Sequence, residues 1–402
     1  MKPAARAVLE AEPRSIAPVC SAFLKLGVMS FGGPIAHIGY LRAEFVQRRA
    51  WLDDAAFADL VALCQFLPGP ASSQVVFAIG MRRAGLAGAL AASACFTLPS
   101  AVLMIAFALG MQAVAGDAVA GWLHGLKLAA VPVVADAVWS MGRRLCTDTA
   151  RVVLALLAAL ALVFMPGAWT QVALIAAGGC AGWLLYRKRI PVATETIAPG
   201  RHRAAAAALL VFGLLLVALP VAARESGLFA VQQADAFYRA GALVFGGGHV
   251  VLPLLRAELV PPGWLTDDQF LAGYGAAQAV PGPLFTFAAY LGTVINAGPR
   301  AWLGGLGCLL AIFLPAWLLV GGALPFWQRL RSRAWAQAGL RGANAAVVGV
   351  LLAALHDPIL PEGVRSWPDA LAAAAALALL LTRKVPVWAV VALLAAAGQW
   401  VL

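Results

Sequence analysis

Charged residues are scarce in this chain of 402 residues. Only 12% of the residues are charged, whereas 62% are hydrophobic and the mean hydropathy is +0.86. Soluble chains average about 25% charged and about 45–50% apolar residues, so a soluble globular protein is excluded. The apolar residues form runs of about fifteen to twenty-five, the length that crosses a bilayer as a helix. The sequence therefore predicts an all-α polytopic membrane protein surrounded by lipid.

Motifs for disulfide and metal chemistry are also missing. The six cysteines and five histidines are scattered, with no C-x-x-C and no H-E-x-x-H motif. We therefore expect no disulfide framework, no metal site and no cofactor. An intramembrane enzyme acting on a lipid-linked phosphate would need paired acidic residues or a His/Asp cluster at membrane depth, yet Asp136 is alone in its apolar run. We expect a protein that is not an enzyme.

Positive charge is in excess, with 29 Lys and Arg against 18 Asp and Glu and a net charge of +11. In a membrane protein such an excess marks the cytoplasmic loops, so nucleic-acid binding is not expected. The N-terminus interleaves Lys2 and Arg6 with Glu10 and Glu12 and lacks a small-residue cleavage site. This pattern predicts a retained cytoplasmic tail rather than a signal peptide.

The chain repeats itself after 214 residues. The segment FLKLGVMSFGG beginning at Phe23 reappears as FYRAGALVFGG beginning at Phe237, and ordered matches continue for roughly a hundred positions. Each copy contains a helix broken at FGG, a second helix broken at PGP and four longer apolar stretches. We predict a first repeat over 1–190, a basic cytoplasmic linker with one extra transmembrane helix over 191–226, and a second repeat over 227–402.

The loop charges predict that the two repeats have opposite orientations. Arg48-Arg49 and Arg143-Arg144 in the first half indicate cytoplasmic loops, whereas their second-half counterparts are neutral or net acidic. Conversely, Arg383-Lys384 stands opposite the uncharged Pro166-Gly167. A cytoplasmic N-terminus and a periplasmic C-terminus follow. Inverted repeats are typical of secondary transporters, which bind substrate between the two copies.

The FGG and PGP motifs should interrupt helices inside the membrane. Paired glycines adopt dihedral angles closed to other residues, and proline suits a first helical turn. The helices flanking the first PGP would be about 22 Å and 18 Å long, too short for a core of about 30 Å, which predicts a re-entrant hairpin. Its tip would present backbone N–H groups to an anion, unless these residues only kink ordinary spans. The candidate anion-binding residues at the breaks are Gly32, Gly33, Pro68, Gly69, Gly246, Gly247 and Gly282.

Cations within apolar runs are the second group of candidates. Lys25 matches Arg239 and Lys127 matches Arg341 in the repeat. A buried cation is expensive unless it snorkels to the interface or faces a partner or aqueous cavity, and both explanations stay open.

Neutral and acidic side chains near the breaks complete the set of candidates. Neutral donors and acceptors that would contact an oxyanion are Gln65, Ser72, Ser73, Gln278 and Asn344. Glu44 and Glu258 are candidates for proton coupling, although a local charge pair with Arg42 and Arg256 is the other interpretation.

These motifs resemble those of a known family. The strings Phe31-Gly32-Gly33-Pro34-Ile35-Ala36-His37, Gln65-Phe66-Leu67-Pro68-Gly69-Pro70 and Phe245-Gly246-Gly247-Gly248-His249 are similar to the long-chain, two-domain type of the chromate ion transporter family. The resemblance covers nearly the whole chain. It implies export of chromate across the bacterial inner membrane, chromate resistance, and drive by the proton motive force, with sulfate as a competing or exchanged anion.

Other functions stay open. The chain is alternatively a transporter of sulfate or another oxyanion, or a passive anion channel. Direction, coupling stoichiometry and a homodimeric assembly are not decided by the sequence.

Overall fold

The structure is a computed structural model that describes residues 15–113, 117–187, 202–327 and 333–400. All regular secondary structure in these ranges is helical. The predicted N-terminal tail, the linker over 191–201 and the last two residues lie outside the described residues. The helices of the first half are α1 (Ala17–Met29), α2 (Gly33–Arg42), α3 (Asp54–Phe66), α4 (Ala71–Ala113), α5 (Asp117–Leu145), α6 (Thr149–Phe164) and α7 (Ala168–Tyr186).

The second part of the chain repeats this order of helices. A separate helix, α8 (His202–Ser226), connects the halves. It is followed by α9 (Phe229–Ala242), α10 (Val251–Leu259), α11 (Asp267–Ala279), α12 (Phe287–Ile295), α13 (Ala301–Ala323), α14 (Ala334–Ala354), α15 (Leu360–Gly363), α16 (Trp367–Leu381) and α17 (Val387–Trp400).

The prediction of an all-α polytopic membrane protein is confirmed. Within the described ranges, six helices are long and apolar enough to cross a bilayer, and further apolar helices are shorter. The opposite orientation of the two halves, and the boundaries predicted for the repeats, stay predictions. The six long helical segments are Ala71–Ala113, Gly121–Leu145, Ala168–Tyr186, Arg203–Ser226, Ala301–Phe326 and Ala334–Gly363.

The helices break where the glycine and proline motifs stand. α1 ends at Met29 and α2 begins at Gly33, and the first PGP separates α3 from α4. The second half has the same breaks, each followed by a single turn of 3₁₀-helix at Gly248–Val250 and Leu284–Thr286.

The first arm of α4 ends in a sharp reversal. Ala84 and Gly85 have non-helical dihedral angles, and Gly85 has a φ of 65°. Beyond the reversal, Gly88 returns so close to Gly80 that a Cβ on Gly80 would lie 2.4 Å from the Gly88 carbonyl oxygen. Residues 71–83 and 86–113 therefore form the two arms of a helical hairpin, which supports the predicted return of the chain at Arg82-Arg83. The contact between Gly292 and Gly304 joins α12 to α13 in the same way.

Helices of each half pack against helices of the other half. α5 of the first half packs against α16 and α17 of the second half, and α14 packs against α6 and α7 of the first half. Small residues permit the close approach, since Gly125 lies against Leu394 and Gly182 lies against Gly342. The interface between the halves is therefore a large part of the fold.

Two apolar clusters form the interior. The smaller cluster joins α1, α3 and the first arm of α4 to the end of α13, and it includes Phe23, Phe45 and Leu63. The larger cluster holds most of the second half together with α5 and the later part of α4. The first PGP tip adjoins the smaller cluster through Leu67, and the second-half break and tip adjoin the larger cluster through Val244 and Leu284.

Candidate anion site

Each PGP tip contacts the FGG break of the other half. The Gly69 backbone N–H donates to the Val244 carbonyl at 2.7 Å, and the Gly282 backbone N–H donates to the Ser30 carbonyl at 2.8 Å. Both carbonyls belong to the residue two positions before the first glycine of an FGG motif, so the same contact is made twice with the halves exchanged. A Cβ on Gly248 would also lie 3.4 Å from Pro34 and 3.7 Å from Leu284, so the two pairs adjoin and the four predicted break motifs lie together.

The tip glycines adopt conformations that other residues disfavour. Gly69 has a φ of 119° and Gly282 has a φ of 102°. Space is also restricted, because a Cβ on Gly282 would lie 2.6 Å from Ser100 Oγ and one on Gly69 would lie 3.3 Å from Ala316 Cβ. The tips therefore require glycine both for backbone conformation and for packing.

The tip N–H groups are not presented to an anion as the sequence suggested. Both glycine N–H groups are engaged in the contacts between the halves. The donors that the helix itself leaves without intrahelical acceptors are those of the first turn of α4, at Ala71, Ser72 and Ser73. An anion at this tip would be held by these groups and by the positive end of the helix dipole.

Several neutral side chains around the breaks are buried without partners. Within the described ranges, such atoms include Ser73 Oγ, Gln74 Oε1, Gln278 Nε2 and Asn344 Oδ1. Buried polar atoms almost always have a hydrogen-bond partner, so their grouping near the breaks favours a polar ligand there. Ser73, Gln278 and Asn344 are among the sequence-predicted residues. The predicted Gln65 is exposed on α3 instead.

The sequence did not show whether His37 belongs to the first break. Its Nε2–H donates to the Ser30 carbonyl at 3.1 Å, the same oxygen that accepts from Gly282, and its Nδ1 lies 3.5 Å from Ser72 Oγ. The proton belongs on Nε2 because a carbonyl oxygen only accepts. His37 thus links α2, the first turn of α4 and the second PGP tip, a connection that no local pattern reveals.

The four predicted cations have different surroundings. Lys25 and Arg341 are exposed, and Arg341 lies over the Tyr186 ring at 5.9 Å. Lys127 is buried and donates to Asp268 at 2.7 Å. These contacts give Lys127 a carboxylate partner, and they do not bring the four cations together around the breaks.

Arg239 lies between two carboxylates. Its guanidinium donates to Asp235 at 2.7 and 2.9 Å and to Glu258 at 2.7 and 3.0 Å. The side chains of Arg239, Asp235 and Glu258 are 16%, 8% and 15% exposed. Trp169 covers the guanidinium from α7, with its ring 5.6 Å away. One positive and two negative charges are therefore enclosed together.

The charges around Glu44 have the opposite balance to those around Arg239. It accepts from Arg48 at 2.9 Å and from Arg49 at 2.6 Å, so that two cations surround one carboxylate. The expected local pairs with Arg42 and Arg256 are not formed, because those arginines bind Asp54 and Asp267 instead. Residues two apart on a helix point in different directions, so Glu44 forms its local charge pairs with Arg48 and Arg49 instead.

A cavity of about 670 Å³ opens at the start of α13, lined among others by Gln233, Asn296 and Arg300. None of the residues predicted for anion binding lines it. The break motifs are instead packed against one another in this conformation.

Comparisons with known proteins identify relatives of this chain. The chain is 32% identical over 350 residues to the chromate transport protein of Pseudomonas aeruginosa, covering 86% of this chain and 81% of that protein. It is 26% identical over 372 residues to the chromate transport protein of Cupriavidus metallidurans, covering 90% and 87%. An uncharacterized transporter of Methanocaldococcus jannaschii is 26% identical over 336 residues, covering 82% and 81%. No solved structure matches the chain.

The sequence profile of the family described as chromate transporter matches this chain twice, over residues 17–183 and 231–399. Each match contains one FGG break and one PGP tip. The chain belongs to the chromate transporter family.

Proposed function

We propose that the protein is a secondary active transporter that exports chromate across the bacterial inner membrane and thereby gives chromate resistance. Movement of the two halves would expose one central anion site alternately to each side of the membrane. The observation that carries this proposal is the reciprocal contact of PGP tips with FGG breaks, surrounded by buried polar atoms without partners. Family membership and the names of the relatives support chromate as the substrate.

The donors at the breaks fit a tetrahedral oxyanion. Ser72, Ser73, Gln278 and the first-turn N–H groups of α4 are neutral, so the positive end of the helix dipole would supply the favourable electrostatics. Sulfate has the same charge and nearly the same shape as chromate. We therefore include sulfate as a competing or exchanged anion.

We further propose that protons drive export through the cluster of Asp235, Arg239 and Glu258. This cluster carries a net charge of −1, so uptake of one proton would neutralise an enclosed group of charges. The cluster at Glu44 already carries one more positive than negative charge, and a proton there would increase the imbalance. The charge balance thus favours Glu258 over Glu44 as the coupling residue.

Transport into everted membrane vesicles tests the proposal. Vesicles containing the protein should accumulate labelled chromate above the level of vesicles without it, and an uncoupler should abolish the accumulation. Excess sulfate should reduce it. Accumulation no greater than in the control vesicles would overturn chromate export, whereas uncoupler-insensitive equilibration would indicate a channel.

The proposed orientation has a separate test. Reporter fusions after Lys384 should indicate the cytoplasm and fusions at Gly167 the periplasm. A periplasmic signal at Lys384 would contradict the inverted repeats without affecting the substrate assignment.

A further inference from the structure

Trp317 lies beside the first PGP tip although it belongs to the second half. Its neighbour Ala316 is the residue that a Cβ on Gly69 would approach at 3.3 Å. One helical turn further along α13, Gly321 faces Met81 and Phe77 of the first arm of α4. The two segments therefore run alongside each other, and Trp317 lies against Phe77, which is one helical turn after Ser73 on the same face of α4.

Two phenyl rings fix the plane of the indole. Phe77 from the first half stacks on one side with ring centres 6.3 Å apart, and Phe313 stacks with centres 6.1 Å apart. The interplanar angles are 14° and 18°. Trp317 also packs against both apolar clusters. The indole is therefore held at the boundary between the two packed regions.

The indole N–H has no acceptor. Trp317 Nε1 is buried without a hydrogen-bond partner, and so is Ser73 Oγ on the facing helix. A buried indole N–H normally finds a partner, and a missing one costs stability. Two unpaired donors on facing helices, near the positive end of α4, match the needs of an anion with four acceptor oxygens.

We propose that Trp317 is an anion-binding residue whose Nε1–H donates to the transported oxyanion at the first PGP tip, near the start of α4. This inference rests on the proposed function, because it assumes that the anion site lies at the breaks. The stacked rings hold the N–H at a fixed position. Trp317 thus contributes a donor from the second half to a tip formed by the first.

Equilibrium binding of labelled chromate to the purified protein in detergent tests the assignment. Trp317→Phe keeps an aromatic ring in the stack and removes the N–H. Replacement by benzothienylalanine, which puts sulfur in place of the N–H, preserves the shape more closely. Both should weaken chromate binding about 10- to 100-fold, the effect of losing one hydrogen bond to a charged group. The melting temperature of the benzothienylalanine variant should not fall, because the N–H that it removes has no partner in the unliganded protein.

Trp302→Phe is the matched control, since Trp302 is an exposed residue of the same helix. It should bind chromate like the wild type. A Kd within twofold of the wild type for both Trp317 variants would overturn this inference. Failure of wild-type vesicles to accumulate chromate would instead overturn the proposed export, and the two results are read from separate measurements.

Discussion

The two copies of the broken helices are packed very differently. In the second half, α11 is buried continuously from Phe270 to Ala277, and Arg239 on α9 is enclosed. In the first half, α3 alternates buried and exposed residues, and Lys25 on α1 is exposed. The first copy packs in the small apolar cluster, which it shares with the end of α13, whereas the second copy lies within the main interior.

This difference in burial indicates that the two related copies differ in local stability. Regions with few buried contacts open more easily than regions within a main core. We therefore expect α1 to α3, with the first arm of α4, to have a lower local stability than the second copy. The reciprocal contacts at Gly69 and Gly282 would connect the two.

Replacing the matched cations Arg239 and Lys25 with methionine should show the difference between the two copies most clearly. Arg239→Met leaves Asp235 and Glu258 enclosed without a counterion, and breaking such a buried pair costs about 3–5 kcal/mol. We expect loss of folded protein, measured by size-exclusion chromatography and thermal unfolding in detergent. Lys25→Met should retain wild-type stability because the side chain is exposed. Equal destabilisation of both variants would contradict the comparison.

Adding a methyl group at the tips should have the next largest effect. Gly282→Ala and Gly69→Ala both place a side chain at positive φ, which costs of order 1–3 kcal/mol. Gly282→Ala should impair chromate accumulation more, because its Cβ meets Ser100, whereas the closest atom to a Cβ on Gly69 is the flexible end of Gln74.

A second substitution tests this clash directly. Ser100→Ala combined with Gly282→Ala removes the Oγ that lies 2.6 Å from the added Cβ and should restore part of the activity. Gly213→Ala serves as the control because nothing lies within 4 Å of its added Cβ. A double variant no better than Gly282→Ala alone would show that backbone strain, not the clash, determines the loss.

The two glutamates should differ in their effect on coupling. Glu258→Gln still accepts from Arg239 but no longer takes up a proton, so chromate accumulation should lose its dependence on an imposed pH gradient while the protein stays folded. Glu44→Gln should keep that dependence. Transport is measured in vesicles with the pH gradient varied at constant membrane potential. Retained pH dependence in Glu258→Gln would exclude it as the coupling residue.

The smallest effect is expected at Asp148, in the connection between α5 and α6. The Tyr186 hydroxyl, which donates at 2.5 Å, and Arg151 lower the pKa of Asp148 to about 2. A lowered pKa adds stability above the unfolded value of about 4, and this stability is lost as the pH falls towards 2. Since the carboxylate is 38% exposed, the contribution should stay below about 1 kcal/mol.

Thermal unfolding in detergent between pH 5 and pH 2.5 measures that contribution. Asp148→Asn should melt below the wild type at pH 5 and approach it at pH 2.5. A difference that is constant across this range would exclude the carboxylate charge as its cause.

The sequence predicted the helical breaks well because glycine and proline act locally. The breaks predicted at the first FGG and PGP motifs coincide with the end of α1 at Met29 and the end of α3 at Phe66. The structure does not bring the four predicted cations together, whereas the matched FGG and PGP motifs lie in contact with one another. Local rules sufficed here because a bilayer admits few alternatives to helices.

Partners of charged side chains were harder to predict. Asp235, which shares Arg239 with Glu258, has no counterpart carboxylate in the first half, so the repeat gave no signal for it. Trp317 and His37 were not assigned to the site, because their contacts join segments far apart in the chain. Such contacts depend on how the halves pack, which residue spacing does not encode.

The sequence by itself determined that this protein is a helical membrane protein built from two related halves, since hydropathy and repeated glycine and proline motifs are local properties of the chain. Only the tertiary structure decided that each tip binds the break of the other half, and that Arg239 is enclosed while Lys25 is exposed. The physical reason is that hydrogen bonding and burial depend on distance in space. Residues at equivalent positions of a repeat therefore acquire different roles once the halves pack together.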